Sequence, residues 1–283
     1  MQTLTLEAII LSVDKFGDHD AIVHLFTAEH GLLRGVVKRG LTGKHKADLQ
    51  PATQVQAVWK ARLPEHLGTV TLEARHSFAA RVMHDKLRLA SVGSMMSLLS
   101  ASLAERDAHP ALYQQTISFL QHVAVAGNNT QSNNLSFPRR RESPLGSEGD
   151  SRLRGNDKNS HSQLLWLGEY VRLELALLEL SGFGLDLSEC AATGTREELI
   201  YISPKSGRAV SREAGAPYHE RMLALPEFLK ASAEHADDLG AISAGLATTG
   251  HFIESRLLPA LHRHTPPLRT HFVSLLQREA TGT

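Results

Sequence analysis

The apolar residues of this chain keep one period up to about Ser77 and a different one beyond it. Thr53 to Ala61 alternates, with Val55, Ala57 and Trp59 against Gln54, Gln56 and Lys60, and Gly68 to Ala74 puts Val70, Leu72 and Ala74 on one face. Strict alternation is the pattern of a strand with one buried side. Ala21 to Thr27 and Leu32 to Lys38 read as two more strands around a turn at Glu29–Gly31. Thr3 to Lys15 is a long β-rich run whose apolar phase shifts near Ile9–Ile10. Leu4, Leu6 and Ala8 share one face, and Ile9, Leu11 and Val13 the other. A strand that changes face midway suits a bulge in a tightly curved barrel. Five short strands in so few residues predict a small closed barrel, of which the OB-fold is the five-stranded kind.

After Ser77 the spacing becomes helical. Arg81 to Arg106, Pro110 to Ala126, Leu164 to Leu180, Ala241 to His262 and Leu268 to Gln277 read as helices, with breaks at His109-Pro110, Ser181-Gly182 and Pro266-Pro267. Leu164 to Leu180 is apolar nearly all round, relieved mainly by Glu169, Arg172, Glu174 and Glu179, which marks a core helix. Glu198 to Ser211 interrupts the helices as a β-hairpin around Pro204-Lys205-Ser206-Gly207. The expected architecture is therefore an α+β, multidomain chain. Residues 1–78 form a five-stranded OB-fold barrel, and residues 79–283 a mostly α-helical domain with a small β-hairpin. Residues 127–162 are rich in Asn, Ser, Arg and Gly and nearly devoid of apolar side chains. Such a stretch buries too little surface to offset its ordering entropy, so it reads as a disordered insertion. Its six cations between Pro138 and Lys158 stand among four acids, which favours a tolerated surface loop over a nucleic-acid arm.

Composition excludes several classes. One cysteine, Cys190, in 283 residues allows no disulfide framework and no zinc site built from several thiolates. No apolar run approaches the ~18 residues of a membrane helix, and the N-terminus lacks the basic start of a signal peptide. A cytoplasmic protein is expected. Catalytic patterns are missing as well. Gly35 to Lys44 is not a phosphate loop, and Gly182-Phe183-Gly184 follows a helix rather than a strand. Among 16 histidines there is no His-Glu-x-x-His, and His262-Arg263-His264 reads as a solvated or capping group. Cys190 has no base or cation beside it in sequence and reads as a small core thiol. No enzyme and no cofactor are expected.

Thirty Lys and Arg balance thirty Asp and Glu, so any polyanion site must be local. From Gly31 to Ala47 the chain carries Arg34, Lys38, Arg39, Lys44 and Lys46 and no acid, and Lys60 and Arg62 on the next strand extend the strip. Lys and Arg on a phosphate backbone release counterions and give salt-sensitive affinity. These seven residues are the candidate DNA-binding set; the alternative is a solvated surface loop. The first domain has only Phe16, Phe26, Trp59 and Phe78 for base stacking, and Trp59 faces inward. Binding is therefore expected to be mostly electrostatic and sequence-tolerant, leaving base edges free.

Several segments carry a resemblance. Asp20-Ala-Ile-Val-His-Leu-Phe-Thr-Ala-Glu-His-Gly31, the basic stretch to Lys46, Leu49-Gln50-Pro51 and Trp59-Lys-Ala-Arg-Leu-Pro-Glu-His-Leu-Gly68 are similar to the N-terminal barrel of the RecO family of DNA repair proteins. Glu179 to Cys190 and Ser203 to Gly215 resemble that family's central segment. The resemblance implies an OB-fold followed by a helical domain in a non-enzymatic recombination mediator. Such a protein binds single- and double-stranded DNA, engages the acidic C-terminal tail of single-strand-binding protein and pairs with RecR. It helps to load RecA and anneals complementary strands, associated with the nucleoid. Some members hold zinc with four cysteines. Here only Cys190 remains, Thr193 stands where a second would be, and the later pair is absent around Ser211 to Gly215, so no metal is expected. Lys205, Arg208 and Arg212 on the hairpin are either a second contact with DNA or a partner, or simply solvated. The competing function is an adaptor that recruits repair partners through its helices with little DNA affinity of its own.

Overall fold

The computed structural model describes residues 2–42, 45–63, 66–128, 150–230 and 236–281. Five strands come first: β1 (Gln2–Phe16), β2 (Asp20–Thr27), β3 (Gly31–Val37), β4 (Thr53–Ala61) and β5 (Gly68–Ser77). They close into a barrel of order β1-β2-β3-β5-β4. Closure leaves no free sheet edge. Every neighbouring pair is antiparallel except β3 and β5, which run parallel through Gly35↔Gly68 and Val36↔Thr69. The first half of β1 pairs with β4 and the second half with β2, so this strand turns the barrel's corner. Its register shifts between Ile10 and Ser12.

That shift corrects the expected change of face. Ala8 and Ile10 fill the barrel interior with Val23, Leu25, Val55, Ala57 and Trp59, and Leu4, Leu6 and Val13 pack against the same cluster. Ile9 and Leu11 point the other way and join the helical core. The bulge returns Val13 to the inside, one turn of the pleat later than the apolar phase suggested.

Between β3 and β4 lies a one-turn helix, α1 (His45–Asp48), and after β5 come α2 (Phe78–Arg81), α3 (Lys86–Ser102), α4 (Pro110–Asn128) and α5 (Asp150–Leu180). The single helix expected over Arg81 to Arg106 is thus split. Asp85 ends the turn between α2 and α3 and accepts the Arg88 amide at 3.0 Å, an N-cap that starts α3 afresh. The stretch expected to be disordered, 127–162, is helical at both ends, because α4 runs to Asn128 and α5 begins at Asp150. Helix propagation from a nucleus buried in the core extends into weakly helical sequence at little cost. Residues 129–149 lie outside the described residues.

The hairpin is larger than expected. β6 (Leu199–Ile202) pairs with β7 (Ala209–Ser211) and also with β8 (Leu223–Ala224), making a three-stranded sheet of order β7-β6-β8. The short α6 (Arg212–Gly215) follows β7 directly. The last helices are α7 (Leu239–Phe252), α8 (Leu258–Ala260) and α9 (Pro267–Thr281), with a π-helical segment over Ile253–Leu257. Pro259 lacks the amide that an α-helix needs, so the predicted helix to His262 loosens before it and stops at Ala260.

The two halves are joined by a common core. Ile9, Leu11, Phe26, Leu32 and Ala52 of the barrel are buried in one cluster with Met95, Met96 and Leu99 of α3, Tyr113 of α4 and Phe252 and Phe272 of α7 and α9. The Phe26 and Tyr113 rings meet edge to face at 5.4 Å. At Gly31 (φ +60°) the α3–α4 connection passes so close that any side chain would overlap the Asp107 carbonyl. Inside the helical half, Arg269 and Glu174 form a buried ion pair.

Candidate nucleic-acid interface

The strand pairings bring three connections together. Val37 lies beside Ala21, just after the β1–β2 turn, and Gly35 lies beside Gly68, which ends the β4–β5 connection. The β3–β4 connection leaves from the same place. On the outer barrel surface Val36, Thr69 and Lys60 follow one another across β3, β5 and β4. At about 4.8 Å per strand, Lys60 sits about 10 Å from the end of β3.

The basic connection is anchored at both ends. Leu49 is buried in the barrel and Leu41 packs against the same cluster. The Leu41 amide donates to the His19 carbonyl at 3.0 Å, tying this connection to the β1–β2 turn. Arg39 takes a left-handed backbone (φ 54°), stabilised by its amide donating to Asp20 Oδ1 at 2.8 Å. The other Asp20 oxygen accepts Lys38 Nζ at 2.9 Å. The Arg39 amide, then Lys38, holds the Asp20 carboxyl below its ordinary pKa.

The seven candidate residues fall into three groups. Arg34 and Lys38 are ion-paired, Arg34 Nε with Glu105 at 2.5 Å and Lys38 with Asp20. Arg39, Lys46, Lys60 and Arg62 are exposed, and none of the four has an ion-pair partner among the described residues. Lys44 lies outside the described residues. The acid-free reading of Gly31 to Ala47 is true of the sequence but not of the surface, since Asp20 and Glu105 come in from elsewhere. Asp20 was readable in advance, because a β2–β3 hairpin turning at Glu29–Gly31 puts residue 20 opposite residue 38. Glu105 belongs to the α3–α4 connection and had no such local signal.

Aromatic groups differ sharply in access. Trp59 is fully buried, donates its Nε1–H to the Arg34 carbonyl at 2.9 Å and carries the Arg106 guanidinium 5.3 Å from its ring. A side chain at Gly68 would run into the Trp59 indole, so the β4–β5 connection can close over it only with glycine there. Phe26 and Phe78 are buried too. Phe16 is 45 % exposed at the end of β1, beside the same turn, and is the ring open to a base.

The hairpin cations are placed apart from this cluster. Arg208 is held by Asp186 at 3.2 Å and Glu189 at 3.3 Å, and Arg212 by Glu198 at 3.3 Å. Lys205 is exposed, and its carbonyl accepts Arg256 Nη2 at 2.6 Å. Four-cysteine zinc does not fit this region. Cys190 is the one thiol in the chain, and the Ser211 amide already donates to its Sγ at 3.3 Å. Cys190 N–H donates to the Thr195 carbonyl and Ala191 N–H to that of Ala209, so backbone hydrogen bonds fasten the segment. Burial raises the Cys190 pKa, but hydrogen bonds from Ser211 and Thr193 outweigh it and bring it down to about 6.

No helix among the described residues is long and apolar enough to cross a membrane. Comparison with known proteins accounts for both halves. The family described as "Recombination protein O N terminal" matches residues 1–78, and "Recombination protein O C terminal" matches 83–140 and 159–264. The gap between the two C-terminal stretches falls inside the segment read as an insertion. The chain is 38 % identical to the DNA repair protein RecO of Dinoroseobacter shibae, over 96 % of this chain and 97 % of that one. It is 37 % identical to that of Rhodospirillum centenum, over 98 % and 96 %, and to that of Rhodospirillum rubrum, over 95 % and 94 %. A barrel whose loops gather cations, fused through a common core to a helical half, is thus matched along nearly its whole length: the chain belongs to the RecO family of DNA repair proteins.

Proposed function

We propose that this chain is a recombination mediator that holds single- and double-stranded DNA at the loop end of its barrel, anneals complementary strands and helps RecA onto DNA coated with single-strand-binding protein. The carrying observation is the convergence of Arg39, Lys46, Lys60 and Arg62 around the β1–β2, β3–β4 and β4–β5 connections, all exposed and without ion-pair partners among the described residues. Lys38 and Arg34 join them when a phosphate replaces Asp20 or Glu105. Lys44 belongs to the same connection by sequence. Cations that touch the backbone and few rings that touch bases leave Watson–Crick edges open, as pairing two strands demands. No covalent step is needed, so the chain acts without catalytic residues or cofactor, on the nucleoid in the cytoplasm. Lys205 is the hairpin cation available for a second contact; Arg208 and Arg212 are occupied by acids.

Replacing Lys38, Arg39, Lys44 and Lys46 together by Ala tests the reading. DNA affinity should fall, and the slope of log K against log salt should shrink by about 0.7–0.9 for each phosphate no longer neutralised. Annealing of complementary oligonucleotides coated with single-strand-binding protein should slow in parallel. An unchanged salt slope would remove the barrel loops from the interface.

A second reading, the adaptor, is favoured by a groove of about 600 Å³ between α3 and α9. Its apolar floor includes Leu89, Leu268 and Leu275, with Lys86 and His271 at the margin. That chemistry suits the acidic tail of single-strand-binding protein, with RecR recruited separately. Binding of the partner with and without its tail, measured in the absence of DNA, separates the two readings.

A further inference from the structure

A second groove, of about 720 Å³, lies where the barrel meets the helices. One wall is the outer surface of β1 and β2, with Ser12, Asp14 and His24; another is α3, with Ser97 and Ser100; the third is the His262-Arg263-His264 loop. That loop follows α8, and His262 turns it with a left-handed backbone (φ 53°), leaving all three side chains exposed. Ser12 and Ser100 hydroxyls meet across the junction at 3.3 Å. His24 Nε2 faces Asp14 Oδ2 at 3.2 Å, where its N–H can donate to the carboxylate, while its Nδ1 is buried with no hydrogen-bond partner among the described residues.

The charged and titratable groups lining the groove are Asp14, His24, His262, Arg263 and His264. Burial lowers the His24 pKa, so His24 is no standing counter-charge to Asp14; Arg263 is the permanent cation among these groups, with the two exposed loop histidines beside it as hydrogen-bonding partners. The groove is also continuous with the DNA-binding end of the barrel. From Leu11 in its floor, β1 runs about 17 Å to Phe16 and the β1–β2 turn, the span of five strand residues. Lys15 and Phe16 lie exposed along that path.

We infer that a single strand held at the barrel loops continues along the end of β1 into this groove, where Arg263, His262 and His264 grip its phosphates. The inference rests on the DNA-binding reading above and adds a second region of the interface, on the helical half. Ser97 donates to the Ser94 carbonyl at 2.8 Å, so of the wall hydroxyls the Ser12–Ser100 pair keeps one O–H for a phosphate oxygen.

Oligothymidylates of two lengths test it, one of about 8 nucleotides, within the reach of a single OB barrel, and one of about 25. The full chain is compared with His262→Asn/Arg263→Gln/His264→Asn, Asn being tolerant of the left-handed backbone at 262. The variant should bind the long oligonucleotide several-fold more weakly, with a salt slope smaller by about 0.7 for each phosphate it no longer neutralises, and the short one unchanged. Equal behaviour of variant and wild type with the long strand would overturn the inference. So would a loss of the same size with both lengths, or an acidic peptide that binds wild type and not the variant, which would assign the groove to a protein tail. If the four-cation loop variant leaves short-strand binding intact, the failure lies with the barrel interface instead.

Discussion

Arg269 donates to both oxygens of Glu174, from Nε at 2.7 Å and Nη2 at 3.0 Å, in a site where neither side chain reaches solvent. Thr249 donates to the same carboxylate, and Arg269 also reaches Glu254 at 3.4 Å, so α5, α7 and α9 are fastened at one point. Burial alone would make the guanidinium easier to discharge; the Glu174 charge more than reverses this. Removing one partner leaves the other charged and dry. Glu174→Ala or Arg269→Ala should each cost about 3–5 kcal/mol in urea denaturation, whereas replacing both by apolar residues of similar volume should cost much less.

Asp20 and Glu105 hold Lys38 and Arg34 in ion pairs, which on the proposed function would compete with phosphate. Asp20→Asn keeps an acceptor for the Arg39 amide while releasing Lys38, and Glu105→Gln releases Arg34. Each should tighten DNA binding and steepen the salt slope by up to about 0.7–0.9. Stability should move little, since both pairs are partly exposed. A double variant with unchanged salt slope would mean that Lys38 and Arg34 never touch phosphate.

Phe16 offers a separate handle on strand type. A ring stacked on an unpaired base contributes roughly 1–3 kcal/mol. Phe16→Ala should therefore weaken single-strand binding about tenfold and leave duplex binding and thermal stability nearly unchanged. Titrations against both DNA forms check this directly.

Cys190 links the hairpin segment to pH. Its folded pKa, about 6, lies below the ~8.5 of a free thiol, so the unfolded chain binds the extra proton between these values. Stability from this group is complete above about pH 8.5 and is lost as pH falls through 6. Subtracting the unfolding free energy of Cys190→Ala from that of wild type at a series of pH values should give a difference that grows from pH 6 to pH 8.5. A flat difference would show that the thiol stays protonated.

Much of the fold was legible because periodicity is a local property. Alternation in β4 and β5 follows from which residues must face inward, and a long apolar run such as Leu164–Leu180 has few alternatives to a buried helix. Four features were not local. Ile9 and Leu11 look like strand residues of either face until α3 is known to lie against them. Glu174 reads as a polar break in a core helix, yet it is buried because Arg269, 95 residues later, comes to meet it. The basic stretch announced its cations, and hairpin register alone sets Asp20 beside Lys38, but Glu105 reaches Arg34 only because the α3–α4 connection folds against β3. His262-Arg263-His264 carries no motif at all, and only the meeting of barrel and helices gives it a groove to line.

The five barrel residues surrendered to the helical core have a mechanical consequence. A barrel cut off after β5 would bare Ile9, Leu11, Phe26 and Leu32 on its outer wall and would be sticky rather than functional. In the intact chain buried side chains of both halves fill that seam. On the proposed function, a strand held at the loops and a partner held by the helices would face each other across packed side chains rather than across a free linker, in the manner of a workshop jig.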